Sequence, residues 1–81
     1  MKKNAAIMEF KKYKGQINQI EEIVEHSKSG ALLEHESSIR KKLRSLKELE
    51  NCGFKDYESV VERYEELLEY VSKRMLEDYN K

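Results

Sequence analysis

The sequence lacks the features that mark membrane-spanning and secreted proteins. Apolar residues occur in short runs, such as Ala31-Leu32-Leu33, whereas a helix needs about 20 apolar residues to cross a bilayer. No apolar signal-peptide core follows the first lysines, and the single Cys52 has no second cysteine with which to form an internal disulfide. We therefore expect a cytoplasmic protein that does not span a membrane.

The chain also has no excess of charge of either sign. Its 16 basic and 16 acidic residues give a net charge of zero, whereas a general nucleic-acid binder is usually strongly basic. A length of 81 residues allows at most one domain, which excludes an enzyme with separate cofactor and substrate domains. We expect a single helical domain over residues 1–81.

Motifs for catalysis and for metal binding are missing as well. Gly15, Gly30 and Gly53 are too far apart for a phosphate-binding loop. Neither His26 nor His35 has a glutamate three residues before it, as the histidines of carboxylate-bridged metal bundles do. There is no Cys-x-x-Cys pair. The sequence therefore predicts no catalytic residue, no metal site and no cofactor, which favours a protein that is not an enzyme.

What the chain does have is apolar residues that recur at alternating steps of three and four. This heptad spacing is typical of packed helices. It predicts helices over about residues 3–28, 31–51 and 57–79. The three predicted seams are Ala6, Phe10, Tyr13, Ile17, Ile20, Val24 and Ser27; Leu32, Glu36, Ile39, Leu43, Leu46 and Glu50; and Tyr57, Val61, Tyr64, Leu68, Val71 and Met75.

Two breaks separate the predicted helices. Gly30 is expected to adopt the left-handed conformation that closes a helix, with a turn over residues 28–31. Gly53 is expected to end the second helix, and Asp56 to cap the third, with Phe54 packing back on its first turn. Helices with short connections fold back on one another. We therefore predict an all-α three-helix antiparallel bundle, or a coiled-coil-like helical hairpin with a third helix, either of which can dimerise.

One alternative to this fold concerns the first break. If no turn forms at Gly30, the first two segments continue as one long helix, which would then pair with another chain in a coiled coil.

Charged residues are sorted into zones along the chain. The beginning of the first helix is basic, the first half of the third helix is acidic, and residues 40–47 of the second helix form a basic block. In an up-down-up bundle each zone lies level with one of opposite sign. Because exposed ion pairs contribute only about 0–1 kcal/mol each, the charge pattern determines how the helices align more than it stabilises the bundle. An antiparallel dimer would satisfy the same zoning.

Short stretches are similar to two known helical families. The pattern Ile17-x-x-Ile20-Glu21-x-Ile23 resembles the first helix of small chorismate mutases, whose fold needs basic side chains inside the bundle where this chain has an apolar seam. The stretch over residues 20–36 resembles the centre of the small subunit of exonuclease VII, a two-helix hairpin without the third helix predicted here. We carry no functional residue over from either family.

More apolar and aromatic residues are present than one narrow seam per helix can bury. Tyrosines are rigid, amphipathic and favoured at interfaces. We therefore predict a small protein–protein interaction module, an adaptor, inhibitor or accessory subunit, that presents a helical face to another protein and forms a homodimer. The candidate partner-binding residues are Ile7, Met8, Tyr70, Leu76 and Tyr79.

The alternative function is a nucleic-acid-associated accessory or regulatory protein. It would use a basic face of the second helix, because rows of lysine and arginine bind phosphates. The residues of this face are Arg40, Lys41, Arg44 and Lys47. Nucleic acid ranks below a protein partner, since the charge zoning gives this block acidic partners within the protein.

Overall fold

The computed structural model describes residues 3–79 and contains three long helices with two short connections. The helices are α1 (Lys3–Glu25), α2 (Ser29–Glu48) and α3 (Tyr57–Tyr79), and a single 3₁₀ turn, Glu50–Cys52, lies between α2 and α3. No strand occurs within residues 3–79. The prediction of an all-α three-helix bundle is confirmed.

The helices run up, down and up along a rod with dimensions of 48 × 18 × 18 Å. Lys14 of α1 forms an ion pair with Asp56, just before α3. Near the other end of the rod, Arg74 of α3 reaches the end of α1. Helices α1 and α3 are therefore parallel. The beginning of α2 lies beside the end of α3, where Ser72 Oγ donates a hydrogen bond to Glu36 Oε2 over 3.4 Å, so α2 is antiparallel to both.

The core runs the length of the rod and is built from the heptad positions. Each fully buried aliphatic or aromatic side chain contributes about 1.5–3 kcal/mol relative to an exposed one. The buried residues are Ala6, Phe10, Ile17, Val24, Leu32, Ile39, Leu43, Leu46, Leu49, Val60, Tyr64, Leu67 and Val71. Most of the predicted seam positions are therefore buried or packed against this core.

The backbones of α2 and α3 approach each other over most of their length, whereas α1 makes fewer close approaches to either. Polar contacts to the α1 backbone supplement its apolar packing. The fully buried Tyr64 donates its hydroxyl hydrogen bond to the carbonyl of Tyr13 over 2.6 Å. The Arg74 guanidinium donates to the carbonyls of Val24 and Ser27 over 2.8 and 3.0 Å. This cation caps the C-terminus of α1, where it also complements the helix dipole.

The first connection differs from the prediction. Helix α1 ends at Glu25, Lys28 is extended with φ −80° and ψ 159°, and α2 already begins at Ser29. Gly30 therefore lies in the first turn of α2 and has no positive φ, so the left-handed closure predicted there is wrong. The turn itself is present, which also excludes one continuous helix over the first two segments.

The second connection is close to the prediction. After α2 and the 3₁₀ turn, Gly53 is left-handed with φ +74° and reverses the chain. Phe54, which the sequence predicts to pack on the first turn of α3, stacks its ring on that of Phe10 of α1 with a centroid distance of 4.3 Å. Asp56 directly precedes α3 and its carbonyl accepts the N–H of Val60 over 3.0 Å, while its carboxylate pairs with Lys14.

Candidate interaction surfaces

An open groove runs between α2 and α3 on the side of the bundle away from α1. Its central part has a volume of about 600 Å³. It is lined by Arg40, Leu43, Arg44, Lys47, Glu65, Leu68, Glu69 and Ser72. We call this the α2–α3 groove.

The two walls of the α2–α3 groove carry opposite charge. Arg44 and Lys47 stand on the α2 wall, and Glu65 and Glu69 stand on the α3 wall. Arg40 pairs with Glu36 of its own helix, with Nε and Oε1 3.5 Å apart. The other four charged groups are Arg44, Lys47, Glu65 and Glu69, and within residues 3–79 none of them forms an ion pair shorter than 4.0 Å. The charge zones therefore face one another as the sequence predicts, but their side chains are not paired.

Towards the end of α3 the groove becomes apolar. A hollow of about 360 Å³, which shares Ser72 with the charged part, is lined by Glu36, Ser72, Met75 and Leu76. Leu76 is 63% exposed. Helical spacing puts Leu33, also 63% exposed, on the same face of α2 as Glu36. We call Leu33, Met75 and Leu76 the apolar end of the groove.

Tyr70 lies on another side of α3. It is 43% exposed and lines a hollow of about 300 Å³ between α1 and α3 together with Glu21, Glu25, Glu66 and Leu67. The Arg74 guanidinium lies 5.7 Å from the centroid of its ring, a distance at which cations and aromatic rings attract.

Four of the five predicted partner-binding residues lie in three places. Leu76 belongs to the apolar end of the groove, whereas Tyr79 is the last residue of α3 and its side chain lies outside what the structure describes. Tyr70 lines the α1–α3 hollow. Ile7 and Met8 lie in the first turns of α1, beside the connection between α2 and α3. They are separated from Leu76 by most of the length of the rod.

The predicted basic face is divided in the same way. Arg40, Arg44 and Lys47 line the α2–α3 groove, whereas the exposed Lys41 lies outside it. Glu65 and Glu69 stand opposite the three basic residues. A phosphate backbone placed in the groove would therefore meet two carboxylates as well as the cations.

One contact between polar side chains was not foreseen from the sequence. Ser27 Oγ lies 2.8 Å from Nε2 of His35, and it donates its own hydrogen to the carbonyl of Ile23 over 2.6 Å. Because the hydroxyl proton is used in that bond, Ser27 accepts from the imidazole N–H. A serine activated by a base would donate its hydrogen bond to the histidine instead. The contact therefore stabilises the first connection, and Ser27 is not arranged as a nucleophile.

The fold shifts the pKa of two groups that connect α1 with α3 or with the residue just before it. Burial raises the pKa of Tyr64 to about 12. The hydrogen bond from Lys14 and its positive charge lower the pKa of Asp56. Both residues join α1 to α3, and neither faces the α2–α3 groove.

Within residues 3–79, no three His, Cys, Asp or Glu side chains come together in a way that could hold a metal ion. Cys52 is exposed and not bonded to another cysteine. None of the described helices has the length and apolar character needed to cross a membrane.

The described residues form a small three-helix bundle with an amphipathic groove between α2 and α3. Comparison of the chain with protein-family models, with curated proteins and with solved structures gives no match.

Proposed function

We propose that this protein is a small non-enzymatic interaction module of the cytoplasm, an adaptor, inhibitor or accessory subunit that binds another protein through a helical face and is itself a homodimer. The observation that carries the proposal is the number of large apolar side chains that remain exposed on more than one side of the bundle. Met8, Ile23, Leu33, Tyr70 and Leu76 are each at least 43% exposed.

Single exposed leucines are normal on protein surfaces, whereas neighbouring ones point to a binding site. Leu76 adjoins the half-buried Met75, so the apolar end of the groove is a surface of this kind. The hollow around Tyr70 is different in character, because Glu21, Glu25 and Glu66 surround a single aromatic ring. An aromatic anchor inside a polar rim is typical of the centre of a protein interface. We therefore assign the partner protein to the Tyr70 side.

The test uses a photoreactive side chain placed at one residue at a time. Tyr70 is replaced by benzoylphenylalanine, and the protein is irradiated in cells of its natural host. We expect a covalent adduct whose added mass is not that of a second copy, and mass spectrometry should identify the same partner in repeated experiments. Lys41, which is exposed and lies outside both hollows, supplies the control position.

A second variant separates binding from folding. Tyr70→Glu should abolish capture by a photoreactive group at a neighbouring exposed position such as Lys73, while the helical circular dichroism stays unchanged. Equal adducts from position 70 and position 41, or a partner that tolerates Tyr70→Glu, would refute the proposed face.

The nucleic-acid alternative is weaker, because Glu65 and Glu69 oppose the basic residues of the groove. It has its own test. If it were right, Arg40→Glu and Arg44→Glu would weaken binding to DNA or RNA of any sequence, and the affinity would fall steeply as salt rises.

A further inference from the structure

We infer that the α2–α3 groove is the surface on which two copies of this chain pair, with the two-fold axis parallel to the rod. In this arrangement α2 of each copy lies on α3 of the other. The inference rests on the homodimer of the proposed function and adds to it the surface, the symmetry and the residues that meet.

The distribution of charge across the groove favours this arrangement. Arg44 and Lys47 line the same cavity as Glu65 and Glu69 and therefore lie at the same level of the rod. Rotation by 180° about an axis parallel to the rod keeps every residue at its level and exchanges the two walls. The basic wall of each copy then faces the acidic wall of the other. None of these four groups forms an ion pair within 4.0 Å in the described part of the single chain, so all four can pair with the second copy.

The other face-to-face arrangement has its two-fold axis across the rod. That rotation puts α2 on α2 and reverses the levels. If this axis passes through the charged part of the groove, Arg44 and Lys47 face the same residues of the second copy. If the axis lies nearer the end of α3, Arg44 and Lys47 face the apolar end of the second copy's groove. Like charges in contact, and charges buried against apolar groups without a partner, are both unfavourable. The charge pattern therefore selects the axis parallel to the rod.

The apolar end of the groove favours the same axis. The same rotation brings Leu76 of one copy opposite Leu33 of the other, because α2 begins where α3 ends. Two leucines that are each 63% exposed in the single chain then cover each other twice, once on each side of the two-fold axis, at the same end of the rod. One operation thus satisfies the charged part and the apolar end together.

The resulting assembly has an ordinary architecture. Helices α2 and α3 of the two copies form a four-helix bundle in which every neighbouring pair is antiparallel, and the two α1 helices lie outside it. Helix α2 has 20 residues and is about 30 Å long. With a width of 18 Å, each copy covers roughly 500 Å², close to the lower limit of specific interfaces. We therefore expect a dimer that dissociates at micromolar concentration.

The experiment measures the dimer dissociation constant by sedimentation equilibrium. Arg44→Glu combined with Lys47→Glu should raise this constant at least about tenfold, as should Glu65→Lys combined with Glu69→Lys, because each pair of changes places like charges across the contact. Lys41→Glu is the matched control and should change it by less than about twofold, since this exposed lysine lies outside the groove.

Combining all four changes in one chain decides the symmetry. The quadruple variant exchanges the charges of the two walls. With α2 on α3 of the second copy, it again sets opposite charges against each other and should dimerise nearly as well as the original. With α2 on α2 it would still set like charges together. A quadruple variant that stays monomeric, with helical circular dichroism intact, would overturn the inference.

A covalent test gives independent evidence. In the background Cys52→Ser, one chain carries Leu33→Cys and another carries Leu76→Cys. We expect the mixture to form a disulfide between the two chains much faster than either chain does alone. A wild-type protein that sediments as a monomer at its highest soluble concentration would refute the pairing. It would leave the partner bound at Tyr70 to be judged by its own photo-crosslinking experiment.

Discussion

Replacing each glycine in turn with alanine tests the backbone conformation at that position, in α1 and in the two connections. Gly15 lies in the middle of α1 and Gly30 in the first turn of α2, and an added Cβ would meet nothing within 4 Å at either position. Alanine is more favourable than glycine inside a helix by about 1 kcal/mol. Gly15→Ala should therefore stabilise the protein by about 1 kcal/mol. Gly30→Ala should increase the free energy of unfolding by roughly half as much, because residue 30 lies in the first turn of its helix.

Gly53 should respond in the opposite direction. Its Cβ would also meet nothing within 4 Å, but its φ of +74° is left-handed. An L-residue pays roughly 1–2 kcal/mol for this conformation. Gly53→Ala should therefore destabilise the protein by about that amount, and it serves as the contrast to the two stabilising changes.

The free energies of unfolding are obtained from urea titrations followed by circular dichroism, with thermal melts as a second measurement. For a domain of this size, 1 kcal/mol corresponds to a change in Tm of about 4–8 °C. Gly15 and Gly30 are far apart in the rod, so the double variant should show the sum of the two gains. The decisive result is the sign for Gly30→Ala. A loss of stability would mean that Gly30 is left-handed and that the first connection is formed as the sequence alone predicts.

Three further substitutions test the contacts of α1. Tyr64→Phe removes the hydrogen bond to Tyr13 and should cost about 1 kcal/mol at neutral pH. The folded pKa of about 12 exceeds the ordinary value of 10.0, so the neutral phenol stabilises the wild type fully below pH 10. As the pH rises from 10 to 12, the free energy of unfolding of the wild type should therefore fall by up to roughly 3 kcal/mol. Urea titrations across that range should show the extra loss in the wild type and not in Tyr64→Phe. Arg74→Lys keeps the charge but cannot span two carbonyls, and we expect a loss of about 1–2 kcal/mol in the same assay; unchanged stability would show that the guanidinium does not cap α1. Among the described residues the buried Oε1 of Gln16 has no hydrogen-bond partner. Gln16→Met should therefore raise Tm, by an amount corresponding to about 1 kcal/mol, and a lower Tm would contradict the unsatisfied oxygen.

Helix α3 begins where the sequence predicts, because a left-handed glycine lies shortly before it and the seam of apolar residues starts at Tyr57. The first connection could not be predicted in the same way. Whether Gly30 closes α1 or begins α2 depends on where the free carbonyls of α1 find donors. One donor is Arg74, about fifty residues away in the sequence, and the turn is further held by the contact between His35 and Ser27. No local pattern contains these distant contacts.

The groove could be predicted in part. The charge zoning places the basic block of α2 beside the acidic half of α3, and both line the α2–α3 groove. The sequence does not show on which side of each seam the extra apolar residues stay exposed, because this depends on how each helix is rotated against its two neighbours. Leu33 and Leu76 remain exposed, whereas Leu49 and Leu67 are buried. The sequence does indicate that Tyr70 and Leu76 face different sides of α3, because six residues are not a whole number of helical turns.

The attachment of α1 has a consequence for how freely its sequence can change. Tyr64 and Arg74 donate their hydrogen bonds to carbonyl oxygens of α1, and every amino acid supplies that oxygen. These two anchors therefore hold α1 at a fixed height without requiring any particular side chain at the positions they bind. Apart from Glu21 and Glu25, which line the hollow around Tyr70, the outer surface of α1 is a place where labels or a different charge pattern could be introduced while the hairpin of α2 and α3 keeps its sequence.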